Sequence, residues 1–310
     1  MRKFININQF IFLAVVLSCW QLIACRQLPV SQTSSPPKVE TREIVDDLNR
    51  RIVVPAKIER VVSLAPSVTE NIFAVGAGDR LVGVTTYCNY PAETSKISKV
   101  GDTINPNLET IVALKPQIII GSTDSQLQAF IENVKMQNIP VFVTDAKNYA
   151  DVLRNLKQFG ELMGTEEKAQ KLIDDLQARV DAIESKVKRE KPVRVFVQIS
   201  PAPLFTIGKD SFMTDLVRRA GGDSATANLS TAYPQISQET ALALQPEALI
   251  LTVDEAMGSN NGAPAEAFKD SPAVKNRRVY QINGDWLTRP GPRIVNGIEA
   301  MAKDLHPNAF

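Results

Sequence analysis

Side chains able to do covalent or metal chemistry are scarce in this chain. His306 is the only histidine, and the cysteines are Cys19, Cys25 and Cys88. A zinc or manganese centre needs several imidazoles or paired thiolates, so no metal site is expected. Ser63, Ser67 and Ser200 lack a plausible histidine to serve as base, which leaves nucleophilic catalysis without its partner. The segment Gly76-Ala77-Gly78 lacks the third glycine and the strand-to-helix setting of a pyrophosphate cradle, and reads as a turn. No catalytic residue is assigned, and no resident cofactor. A cleft enzyme using Cys88 and Asp285 is the competing class, but Cys88 without a partner reads as packing.

The residues better suited to recognition are aromatic. Tyr87 and Tyr90 follow one strand candidate, Phe205 follows another, Tyr233 precedes a helix, and Trp286 follows the last strand. Large rigid apolar faces in such loops fit a big conjugated ligand. In open α/β sheets ligands bind outside the C-terminal ends of the strands.

Those loops need a scaffold, and the hydrophobic pattern supplies one. Buried-type runs at 60–64, 81–84, 117–120 and 141–144 alternate with helical stretches at 68–75, 108–114 and 126–137. A second set follows, with strands at 194–199, 248–252 and 278–282 and helices at 212–220, 238–244 and 292–303. Such alternation predicts parallel strands joined by helical crossovers. One stretch is repeated: residues 109–120, beginning Glu109-Thr110, are echoed by residues 239–250, beginning Glu239-Thr240. Both copies read as a short helix halted before a proline and followed by a buried strand. Between the two sets lies the longest helical pattern. Gly164 ends the preceding helix, Thr165 is placed to cap the next, and Ala169, Leu172, Ile173, Leu176, Val180, Ile183 and Val187 form one apolar stripe before Pro192. Roughly 24 residues at 1.5 Å each make a rod of about 36 Å, long enough to span two lobes. The expected fold is therefore α/β, with two Rossmann-like lobes of mainly parallel sheet bridged by one long helix and a ligand cleft between them.

The first residues lead to the expectation that the chain is exported from the cytoplasm. Arg2 and Lys3 precede an apolar run, and Leu22-Ile23-Ala24-Cys25 closes it, the layout of a secretory signal with a lipobox. Residues 1–24 are expected to be removed and Cys25 to carry lipid, giving a membrane-anchored lipoprotein. Residues 25–40, rich in Gln, Ser, Thr and Pro, read as a flexible tether. Beyond it the domains are an N-terminal lobe over 41–150, a helical linker over 151–191 and a C-terminal lobe over 192–310. Lys and Arg total 35 against 34 Asp and Glu, so the surface gives no reason to expect nucleic acid.

Several ordered segments resemble the periplasmic binding proteins for cobalamin and ferric siderophores. They include Asp46-Asp47-Leu48-Asn49-Arg50, the run from Arg60 to Glu70, Gly83 to Pro91, Asn107-Leu108-Glu109, Pro203 to Lys209, Tyr233 to Glu239, and Asp285-Trp286 with Pro292-Arg293. The second-lobe segments are most similar to the cobalamin-binding members. The resemblance implies a non-enzymatic protein that holds its ligand between the lobes and hands it to an ABC permease dimer with its ATPase. It implies a corrinoid first and a ferric siderophore second. Tyr87, Phe205, Tyr233, Asp285, Trp286 and Arg289 match ligand-lining positions. Two surface carboxylates that meet permease arginines match Glu70 and Glu239. The internal repeat instead pairs Glu239 with Glu109, so the two lines of inference differ over the first-lobe carboxylate, and the resemblance favours Glu70. One departure is Thr103, which stands where the cobalamin binders carry a tryptophan ahead of the Asn-Leu-Glu segment. For an anionic siderophore several basic cleft residues are expected, and Arg289 and Arg293 are the few candidates.

Overall fold

The computed structural model describes residues 40–123, 128–253 and 262–310. The signal segment, Cys25 and the tether up to Val39 lie outside the described residues, as do Gln126 and Leu127 at the start of one predicted helix. Residues 40–310 pack as one compact unit.

Two separate parallel sheets form. The first has the order β5 (Ser98–Lys99), β4 (Leu81–Val84), β3 (Val61–Ser63), β6 (Ile118–Ser122) and β7 (Val141–Thr144). The second has the order β11 (Gly222–Ser224), β8 (Val193–Gln198), β12 (Ala248–Val253) and β13 (Val279–Asn283). Neighbours in both run parallel. The sequence explains this: Ile118, Ile119 and Ile120 are all fully buried, as a strand covered on both faces requires. Successive side chains then point to opposite faces. Val61, Ile118 and Ile120 join one large core, while Val62 and Ile119 join a smaller one on the other face. The second sheet behaves alike, with Val195 and Ile250 in the large core and Phe196 and Leu249 in a separate outer cluster.

The large core is shared by the two lobes and runs along the long helix. Two helices meet there, α4 (Tyr149–Met163) and α5 (Glu166–Val187), together with α1 (Pro66–Ala74) from the first lobe and α10 (Ile294–Leu305) from the second. Gly164 ends α4 at φ 61°, a left-handed conformation that costs glycine little. The 22 residues of α5 give a rod of about 33 Å, a little shorter than the sequence suggested. Ala169, Leu176, Val180, Ile183 and Val187 bury one stripe, and each larger side chain contributes about 1.5–3 kcal/mol. Thr165 takes the cap position without a side-chain cap bond, so the acidic pair Glu166 and Glu167 alone suits that terminus. No helix among the described residues is long and apolar enough to cross a membrane.

Short elements escaped the sequence reading. An antiparallel hairpin, β1 (Thr41–Val45) with β2 (Arg51–Pro55), precedes the first sheet. Its turn is held by buried Asp46, which accepts from Leu48 N and Arg50 N and pairs with the Arg50 guanidinium at 2.5 Å. In the second lobe β9 (Ser200–Pro201) and β10 (Leu204–Phe205) make a small ribbon after β8.

The internal echo is a structural repeat. Helix α2 (Leu108–Ala113) and helix α7 (Gln238–Leu244) are capped alike, Asn107 and Ser237 accepting from the backbone N–H three residues on. Lys115 and Gln245 then turn at φ 49° and 45°, ahead of Pro116 and Pro246. Even the clasp is repeated, for Arg60 Nε donates to Leu114 O and Arg194 Nε to Leu244 O.

Candidate functional site

A cavity of about 240 Å³ lies between the lobes. On the first-lobe side it is lined by Ala65, Pro66 and Ser67 beyond β3, by Tyr87 beyond β4, by Thr103, and by Ser122 at the end of β6. On the other side it is lined by Thr288, Arg289 and Pro290, which follow β13 and the short helix α9 (Gly284–Thr288). The cavity thus sits at the C-terminal edge of the first sheet, where crossover connections leave a crevice. Thr103 is part of its wall.

Of the predicted ligand residues, Tyr87 and Arg289 line this cavity together. Asp285 joins them through an ion pair to Arg289 at 2.8 Å. Trp286 is half-buried against the shared core, one residue along α9. Phe205 and Tyr233 are not among the residues lining this cavity; they sit beyond β8, where Phe205 bridges to Gln235 and Thr206 N donates to Pro234 O. Tyr87 follows β4 and Trp286 follows β13, while Phe205 and Tyr233 belong to the segments that pair with each other beyond β8.

Glu70 is not the surface carboxylate that the resemblance implied. It is only 3% exposed and lies at the junction of the lobes. Arg293 Nε donates to its Oε2 at 2.8 Å and Arg293 Nη2 to its Oε1 at 2.6 Å, while Arg289 Nη1 donates to Oε1 at 2.9 Å. Both arginines belong to the second lobe. Asp285 completes the quartet, pairing with Arg289 and accepting from Arg293 Nη2 at 3.2 Å. Asn89 Oδ1 accepts from Arg289 at 2.7 Å, and the Arg293 guanidinium lies over the Tyr90 ring at 4.1 Å. Burial would by itself lower the pKa of Arg293, but hydrogen bonds and charge from Glu70, then Asp285, raise it above its ordinary value. Removing water from four charges is costly, and the mutual pairing is what makes it tolerable.

Sequence reasoning missed this junction, yet a signal existed. Glu70 is the single charge between Arg60 and Asp79. A charge in such an apolar stretch must find a partner or be exposed. The matching arginines stand four apart around Pro290-Gly291-Pro292, with Asp285 four residues before the first. Helix α1 approaches that loop closely: Asn71 Nδ2 donates to Pro290 O at 3.1 Å, and a Cβ on Gly291 would meet Asn71 Oδ1 at 3.0 Å.

The two repeat carboxylates behave differently. Glu109 and Glu239 are each the second residue of their helices and both are exposed. A hydrogen bond from Ser237 holds the Glu239 carboxyl below its usual pKa. Cys88 is buried, its thiol 3.2 Å from both Thr69 Oγ1 and Thr85 Oγ1, while His306 meets Gly221 O at 3.0 Å on another part of the molecule.

Two parallel-sheet lobes joined along one helix, with a cleft at the strand ends, define a binding-protein architecture. Residues 61–285 match the family of periplasmic binding proteins, and the chain belongs to that family. An uncharacterised ABC transporter substrate-binding lipoprotein of Bacillus subtilis strain 168 is 32% identical over 311 residues, covering 97% of this chain and 98% of that protein. A vitamin B12-binding protein of Vibrio parahaemolyticus is 32% identical over 241 residues, covering 78% of this chain and 87% of its own length. Among solved structures, the periplasmic vitamin B12-binding protein BtuF of Vibrio cholerae is similar with a TM-score of 0.73 and 28% identity, covering 82% of this chain and 99% of that one.

Proposed function

We propose that this chain is an extracytoplasmic lipoprotein, anchored through Cys25, that binds a corrinoid between its lobes and delivers it unchanged to an ABC permease dimer with its ATPase. The observation that carries the reading is an inter-lobe cavity beyond the strand ends of the first sheet with Tyr87 in its wall, together with Phe205, Tyr233 and Trp286 in segments that follow strands of the second sheet. Aromatic faces stabilise a large conjugated macrocycle by contact area, and do so without reaction. The vitamin B12-binding relatives support a corrinoid over the ferric siderophore that is the second reading. So does the scarcity of charge, for Arg289 is the one charged residue among the described residues lining the cavity. A cavity of about 240 Å³ holds only part of a corrinoid, so much of the ligand would rest against the rims.

Docking to the permease is assigned to Glu109 and Glu239. They are exposed, occupy equivalent positions of the structural repeat, and suit charge-assisted pairing with arginines. Titration of the mature protein with cyanocobalamin, related corrinoids and ferric siderophores, followed by Trp286 fluorescence, tests the ligand. Quenching by corrinoids at micromolar or lower concentration is expected; a response to siderophores alone would install the second reading. Recovery of chemically altered ligand from the pure protein would instead favour an enzyme.

A further inference from the structure

The arginines nearest the cleft are not free to receive an anion. Each of the two guanidinium groups is already shared between Glu70 of the first lobe and Asp285 of the second. Two positive and two negative charges cancel, and their side chains are all less than a fifth exposed. Arg289 nevertheless forms part of the cavity wall, so the state of its charge is felt by whatever lies there. Glu70 itself is 2% exposed at the side chain and does not line the cavity. It acts only through Arg289 and Arg293.

We infer that Glu70 is a specificity-determining residue: by occupying Arg289 and Arg293 from across the lobe junction, it makes the cleft select ligands without carboxylate groups and reject anionic ligands of the same size and shape. The inference rests on the reading of the inter-lobe cavity as the ligand site. The logic is electrostatic. With Glu70 present the quartet sums to zero, and an incoming carboxylate finds donors already bonded and an acidic neighbour in Asp285. Such a ligand must break existing charge-assisted bonds before making its own. Without the Glu70 charge the same arginines carry a surplus of one positive charge beside the cavity. Discrimination between partners often rests on repulsion of this kind as much as on attraction.

The test uses the mature chain and two pairs of probes that differ in charge but hardly in shape. One pair is cyanocobalamin and its monocarboxylic acids; the other is hemin and its dimethyl ester. Affinities are measured by calorimetry for the native protein, Glu70→Gln and Arg293→Gln, with melting temperatures recorded alongside. In the native protein the member of each pair that lacks free carboxylates is expected to bind more tightly than its charged, carboxylate-bearing counterpart. Glu70→Gln keeps a hydrogen-bonding side chain of the same shape and should shift the ratio towards the charged member about tenfold, a gain that shrinks as salt rises. Arg293→Gln leaves a surplus of negative charge and should shift the ratio the other way. Opposite shifts cannot come from a general loss of structure. An unchanged ratio in Glu70→Gln, or shifts of the same direction in both variants, would overturn the inference. Should Glu70→Gln fail to fold, Arg293→Gln decides alone, and a ratio that does not move away from the charged member rejects the idea. Loss of binding to both corrinoids would remove the corrinoid reading, while the porphyrin pair would still report the charge preference.

Discussion

Glu70 and the pair Glu109 and Glu239 offer a direct comparison. All three lie on short helices attached to parallel strands. Glu70 is buried at the lobe junction in a quartet of charges, whereas Glu109 and Glu239 stand in solvent at matching helix starts. The difference lies in what the helix faces. Helix α1 packs Val68 and Ile72 into the shared core and turns Glu70 and Asn71 towards the other lobe. Helices α2 and α7 bury little beyond Ile111 and Ala241, so their first turns remain outside. A carboxylate's role is thus set by which layer its helix closes, and a matching local motif is a poorer guide than an equivalent place in a repeat.

Removing the buried acid should have the largest effect. Glu70→Ala leaves two guanidinium groups against Asp285 alone, and breaking a buried pair in this way costs about 3–5 kcal/mol. Chemical denaturation should show that loss, and a change under about 1 kcal/mol would mean that the quartet is as dispensable as a surface pair. The double variant Glu109→Ala with Glu239→Ala should leave stability and ligand affinity within error. Uptake by cells or proteoliposomes should fall at least tenfold, since each lost charge-assisted bond is worth about 1.5–3 kcal/mol. Normal uptake would return the docking role to an unassigned surface.

How much of this was legible in sequence follows the same division. The strands at 81–84 and 141–144 and the helix at 238–244 appear where the periodicity put them, because runs such as Val141-Phe142-Val143 have only one way to be buried. The repeat was visible as a string of residues, and it paired Glu239 with Glu109 correctly in geometric terms. The match of Glu70 to a surface carboxylate failed because burial of a single charge depends on partners more than two hundred residues away, Arg289 and Arg293. Helix α4 was seen only through its terminal Gly164, although Val152, Leu156, Phe159 and Met163 carry its buried face. The hairpin at Asp46 and the ribbon around Phe205 were missed because strands of two to five residues leave little periodic signal.

Asp215 supplies an intermediate case at another contact between α4 and the second lobe. On helix α6 (Phe212–Arg219) it accepts from Tyr149 N at 3.0 Å and pairs with Arg218 and Arg219, and Arg219 also meets Glu184 of α5 at 2.5 Å. Burial would raise the Asp215 pKa, but hydrogen bonds from Arg219, Arg218 and Tyr149 N hold it below the ordinary carboxylate value. A depressed folded-state pKa stabilises the fold above the unfolded value, about 3.9, and that contribution disappears as pH falls through the folded one. Asp215→Asn should therefore cost about 1.5–3 kcal/mol at neutral pH, with the gap from the native protein closing below about pH 4. A gap that stays constant down to about pH 2, below both titrations, would assign the effect to packing.

The smallest effect separates cleft from tips most cleanly. Thr103 belongs to the cavity wall and Glu109 lies six residues further on, outside it. Thr103→Trp would place an aromatic face beside Tyr87, and an added aromatic contact is worth about 0.5–1.5 kcal/mol beyond its area. Corrinoid affinity should rise a few-fold in a fluorescence or calorimetric titration while uptake at saturating ligand stays unchanged. If affinity falls instead, the indole fills space that the ligand itself needs, and the macrocycle lies flat against the wall at Thr103 rather than against Tyr87. Either outcome fixes which face of the first lobe the ligand touches, independently of Glu109 and Glu239.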